Sequence, residues 1–99
     1  MSCEMMARVE RYAPVRGVDL SLLLKVADQG DEISSFRIET LARALRITPK
    51  AAEKILARLK RRGILSEVPD AEIPIAWREP GVQFVRICVE APPPGALLH

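Results

Sequence analysis

Asparagine is missing from this chain altogether, glutamine occurs only as Gln29 and Gln83, and the one histidine is His99, the last residue. A single terminal histidine excludes a histidine-based triad and a His-containing zinc site. Cys3 and Cys88 are the only cysteines, and they lack the paired spacing of a metal knuckle. No glycine-rich loop follows a strand to cradle a phosphate. Carboxylates such as Asp31 and Glu32 suit any solvated turn. The expectation is a protein that is not an enzyme, with no cofactor and no bound metal. Aromatic residues make up 4% of the chain, so the core has to come from Leu, Ile, Val and Ala. No apolar run approaches the roughly 20 residues that cross a bilayer. The opening MSCEMMARVERYA, interrupted by Glu4 and Arg8, has no signal-peptide core. A cytoplasmic location, no membrane partner and reduced thiols are therefore expected.

What is abundant is charge, at 28% of residues. Together with the scarcity of amides it is the balance found in heat-adapted proteins, among which intracellular disulfides are also more common. The oxidation state of Cys3 and Cys88 thus stays open. The net charge of +2 hides an asymmetry. From Arg37 to Arg62 nine basic residues face only Glu39 and Glu53, whereas the remainder has six basic residues against eleven acidic ones. The positive field belongs to one segment, not to the whole molecule.

The overlapping stretch from Thr40 to Leu65, TLARALRITPKAAEKILARLKRRGIL, also carries the clearest structural punctuation. Thr48 suits an N-cap and Pro49 the first helical position, where its missing N–H costs nothing. Arg61 and Arg62 suit the negative end of the helix dipole, and Gly63 can adopt the left-handed conformation that stops a helix. The expected helix runs from Pro49 to Arg62. At about 100° per residue, Ala52, Ile55, Leu56 and Leu59 gather on one side, with Lys50, Lys54, Arg58 and Arg61 nearly opposite. Leu41, Ala42 and Leu45 give a shorter apolar face before it, and only Arg46, Ile47 and Thr48 connect the two: a helix-turn-helix.

These residues resemble the helix-turn-helix of winged-helix DNA-binding proteins, the group that holds many bacterial and archaeal transcription regulators. Leu41-Ala42, Ile47, Thr48-Pro49 and Gly63-Ile64-Leu65 match its pattern. The resemblance implies an α+β winged helix-turn-helix, a three-helix core with a small antiparallel β-sheet and a long wing, binding double-stranded DNA through the second helix of the motif. It also implies that Thr48, Lys50, Ala51, Glu53 and Lys54 approach bases or nearby phosphates. Lys50 and Lys54 can reach guanine edges or the backbone, while Arg43, Arg46, Arg58 and Arg61 suit phosphate. The bland alternative is that a basic stripe is merely the solvated face of an amphipathic helix.

The flanks extend the pattern. Residues 1–17 form an N-terminal arm of a helical turn or two, with Met5, Met6, Val9 and Tyr12 as packing residues, broken by Pro14 and Gly17. The domain proper spans 18–90. Its first helix is expected from Asp19, as N-cap, to Gln29, with Gly30 as the stop. Residues 31–35 read as a turn, and Phe36-Arg37-Ile38 as a short strand. Ile64 to Val68 and Val82 to Glu90 read as paired strands; in the second, Val85, Ile87 and Val89 point one way and Phe84, Arg86, Cys88 and Glu90 the other. The tail 91–99 holds Pro92, Pro93 and Pro94, which favour an extended conformation.

Two features oppose DNA. Glu53 lies near the centre of the reading face, although it could accept a hydrogen bond from cytosine. The wing carries Asp70, Glu72 and Glu79 against Arg78 alone. Trp77, the only tryptophan, sits in this wing beside Arg78. Closure of its ring over the chain's own core is the expectation slightly preferred, and the alternative is an exposed anchor for a partner protein, because Trp with Arg is a common hot-spot composition. The leading function is thus DNA binding by a transcription regulator or accessory chromosomal protein. The second is a protein-interaction module working through Trp77 and Arg78. A homodimer, formed through the arm, first helix or tail, would suit paired DNA half-sites. The DNA target, the sign of regulation and any effector are not written in the sequence.

Overall fold

In the computed structural model, residues 3–30 and 33–89 are described, without the side chain of Cys3. The chain runs α1 (Cys3–Tyr12), α2 (Gly17–Ala27), β1 (Ser34–Arg37), α3 (Ile38–Leu45), α4 (Pro49–Arg61), β2 (Leu65–Glu67) and β3 (Val82–Ile87). It is an α+β domain of four helices and one antiparallel sheet, with β3 central between β1 and β2. Ser34 faces Val85 and Arg37 faces Val82, while Leu65 faces Ile87 on the other side. No helix among the described residues is long and apolar enough to cross a membrane.

The core is aliphatic, as a chain poor in aromatics requires. Leu22, Leu23, Val26, Ala52, Leu59 and Val85 are all sealed from water. Strand β3 ends at Ile87, short of the expected Glu90, yet the alternation continues past it: Val85, Ile87 and Val89 are buried while Cys88 is exposed. The N-terminal arm is more ordered than a turn or two. It is a ten-residue helix whose Val9 is completely buried, with Met5, Met6 and Tyr12 packed against the core, so the three-helix core gains a fourth member.

Several boundaries differ from expectation. Helix α2 begins at Gly17, two residues before Asp19, and follows Arg16, which supplies no side-chain cap. Asp19 lies in its first turn instead, where a carboxylate still favours the positive end of the helix dipole. Its stop is Asp28 rather than Gly30. The first strand is shifted towards the N-terminus: Ser34 and Ser35, expected in the turn, belong to β1, and Ile38 already opens α3. The pairing with β3 outweighs the turn preference of serine. Residues 31 and 32, Glu90 and the tail 91–99 lie outside the described residues.

The helix pair was better marked. Thr48 Oγ1 accepts from Ala51 N at 3.1 Å, capping α4, and Pro49 is its first residue. Both helices end the same way. After α3, Ile47 N donates to Ala42 O at 3.0 Å and Arg46 N to Arg43 O at 3.2 Å; after α4, Ile64 N donates to Leu59 O and Gly63 N to Lys60 O, both at 3.0 Å. This paired pattern requires a left-handed residue. Gly63 fills that role after α4 with φ of 76°, and Arg46 fills it after α3 with φ of 57°.

Candidate nucleic-acid interface

The core face of α4 consists of Ala52, Ile55, Leu56 and Leu59, all buried. Directly opposite, Lys50, Lys54 and Arg61 fall within about 40° of one another around the helix axis, and all three are exposed. Arg58 and Lys60 lie on the flanks of this row, nearer the core, and both are engaged. Arg58 donates twice to Asp19 of α2, Nε to Oδ2 at 3.0 Å and Nη2 to Oδ1 at 2.9 Å. Lys60 Nζ donates to Glu67 Oε1 of β2 at 3.1 Å. Arg62 follows them, with Nη2 on the Pro14 carbonyl at 2.9 Å.

The basic residues of the segment therefore divide into two groups. Arg37, Arg58, Lys60 and Arg62 tie elements together. Arg43, Arg46, Lys50, Lys54 and Arg61 are exposed, and their side chains have no hydrogen-bond or ion-pair partner among the described residues. Of the residues singled out from the sequence, the structure thus brings Arg43, Arg46, Lys50, Lys54 and Arg61 onto the α3–turn–α4 segment with their charges free. It assigns Arg58 to the α2–α4 contact instead. Thr48 is occupied as the cap, Ala51 supplies the capped N–H, and Glu53 is exposed on the margin of the row without a partner.

This free group is unfavourable to the fold. Lys50 is followed four residues on by Lys54, and like charges at that spacing repel across one turn. The first turn of α4 contains no acidic residue, so its positive dipole end is left uncompensated, and Lys50 adds to it. Arg46 holds a conformation that costs a residue with a Cβ about 1 kcal/mol or more. A surface of this kind attracts anions, and polyanions most of all.

The second candidate site is the connection 68–81. It contains two 3-10 turns, Asp70–Glu72 and Ile75–Trp77. Ile73 is buried beneath it. Arg78 Nη2 donates to the carbonyl oxygens of Ile73, at 3.2 Å, and Asp70, so this arginine closes its own loop. Glu72 accepts from Arg86 at 3.2 Å, and Glu79 from Arg37 at 2.8 Å. The acidity read from the sequence is therefore largely balanced within the molecule. Trp77 does not close over the core. It is 54% exposed and Ile75 is 82% exposed, because the clamps at 72, 78 and 79 leave residues 74–77 as a projection. Those clamps were not legible in the sequence, since every one of them joins residues whose pairing depends on how the loop folds back.

Compared with family models, with curated proteins and with solved structures, the chain matches none.

Proposed function

We propose that this chain is a winged-helix domain that binds double-stranded DNA, with α4 as the helix that enters the major groove, serving transcription regulation or chromosome organisation. The element order α2-β1-α3-α4-β2-loop-β3, with β3 central, fits the arrangement implied by the resemblance. One observation carries the reading: within the basic segment, the cations with no hydrogen-bond or ion-pair partner among the described residues, Arg43, Arg46, Lys50, Lys54 and Arg61, are those of α3, the turn and the outer face of α4, while Arg11, Arg16 and Lys25, also unpaired, lie outside that segment. In this reading Lys50 and Lys54 approach bases or phosphates near the start of α4, and Arg43, Arg46 and Arg61 hold phosphates on either side. Arg58 positions α4 on α2 and does not contact DNA.

The test is fluorescence anisotropy of a labelled random-sequence duplex at low salt and again near 200 mM. Each neutralised phosphate contributes about 0.9 to the slope of log affinity against log salt. Five free cations predict a slope of up to roughly 4 to 5. No binding at low salt would reject the proposal.

A second reading, a protein-interaction module, is favoured by the exposure of Ile75 and Trp77. It predicts that Trp77→Ala removes a partner while Lys50→Ala with Lys54→Ala has no effect.

A further inference from the structure

Glu53 is the one acidic residue of α4, and it stands among cations. At about 100° per residue it lies about 60° from Lys50 around the helix axis. It belongs to the N-terminal half of α4, the half that meets base edges when a recognition helix enters the major groove. Its side chain is exposed and has no hydrogen-bond or ion-pair partner among the described residues.

The fold gives this carboxylate no task. Glu39, the other acidic residue of the basic segment, lies in the first turn of α3, where it complements the positive end of the helix dipole. Glu53 is the fifth residue of α4, past the turn in which that dipole end acts. Its neighbours on the helix surface, three and four residues away, are Pro49, Lys50, Leu56 and Ala57. Of these Lys50 alone carries a matching charge, and the two form no ion pair. Pro49 and Ala57 are exposed and short, so nothing bulky stands beside the carboxylate along the helix.

On DNA at large such a group is a disadvantage, because every phosphate repels it. The repulsion is offset only where a base edge offers a hydrogen. In the major groove two bases do so, cytosine through N4 and adenine through N6. Adenine N6 is flanked by acceptors on both sides, its own N7 and O4 of the paired thymine, and both oppose a carboxylate. Cytosine N4 has an acceptor on one side only, O6 of the paired guanine, and that guanine offers O6 and N7 to the cations beside Glu53. A carboxylate next to lysine therefore complements a C·G pair and conflicts with an A·T pair.

We propose that Glu53 is a specificity-determining residue, which selects a cytosine in the site bound by α4 and lowers the affinity for other duplexes. This selection rests on the DNA-binding role proposed above. It adds the class of target, a duplex with a C·G pair at a fixed place in the contacted site.

Selection of bound duplexes from a randomised library by the full chain, followed by sequencing, tests it, with anisotropy on the random-sequence duplex run alongside. The original chain is expected to favour C·G at one position by about tenfold over the other pairs. Glu53→Ala abolishes that preference and binds the random duplex more tightly. Glu53→Gln also binds the random duplex more tightly, and it moves the preference at the same position to A·T, since an amide accepts from adenine N6 while donating to N7. Glu53 is exposed and unpaired, so both variants are expected to keep the fold. No binding of the random duplex at low salt rejects the DNA-binding role, and the selection by Glu53 with it. Binding without a favoured C·G position overturns the selection alone, as does a preference that both substitutions leave in place.

Discussion

Arg58 and Asp19 form a two-pronged ion pair that fastens α4 to α2, at 3.0 and 2.9 Å, with the aspartate side chain only 16% exposed. The planar guanidinium fork matches the carboxylate, and such a pair is worth more than an ordinary surface contact. It separates a structural arginine from the neighbouring lysines that otherwise look equivalent.

Arg58→Ala leaves a mostly buried carboxylate without its partner, which costs about 1–3 kcal/mol. For a domain of this size each 1 kcal/mol shifts the midpoint by about 4–8 °C. Thermal unfolding should therefore show a clear drop, while the salt slope of DNA binding by the folded variant stays unchanged. A slope reduced by a full phosphate would place Arg58 on DNA.

Lys50→Ala and Lys54→Ala should act in the opposite way. Each removes about 0.9 from the salt slope. Each also relieves like-charge repulsion on α4, worth about 0.2–0.5 kcal/mol, so the melting temperature should hold or rise slightly. A substantial fall in stability would mean that these lysines have a structural role.

Arg46 and Gly63 occupy equivalent positions after successive helices, both left-handed. Arg46→Gly relieves a conformational cost of about 1–2 kcal/mol, offset in part by about 0.4–1 kcal/mol of added freedom in the unfolded chain. A gain of about 0.5–1 kcal/mol is expected, together with weaker DNA binding. Arg46→Ala keeps the backbone cost and loses the charge, so it should weaken binding without stabilising. If Arg46→Gly binds duplex as tightly as the original chain, the arginine is not there for phosphate.

Gly30→Ala and Gly63→Ala should be unequal. At Gly63 an added Cβ meets nothing within 4 Å, and only the φ of 76° is penalised, by about 1 kcal/mol. At Gly30 the Cβ would lie 2.2 Å from the Ile33 carbonyl oxygen, which forces the backbone to move. Equal losses in chemical denaturation would rule out that close approach.

Much of the helix pair was legible because its signals are local. Thr48, Pro49 and Gly63 each act within one turn of themselves, and the burial of Ala52, Ile55, Leu56 and Leu59 follows from period alone. The alternation of Val85, Ile87 and Val89 was equally direct. What escaped was set by distant residues. Periodicity placed Arg58 on the polar side but could not name Asp19 as its partner. Nothing about an arginine at position 46 signals a positive φ. The loop 68–81 looked acidic, and only its folded path brings Arg37 and Arg86 to Glu79 and Glu72.

The central place of β3 sets the order in which the domain can assemble. Ser34 and Leu65 find their neighbours only in Val85 and Ile87, so neither β1 nor β2 can pair while the ribosome is still producing the residues before Val82. Until then the nascent chain holds two open strand edges beside a nearly complete set of helices. Such edges recruit other chains, and contacts this remote in sequence form slowly. A chain cut short within the loop would stay in that exposed condition.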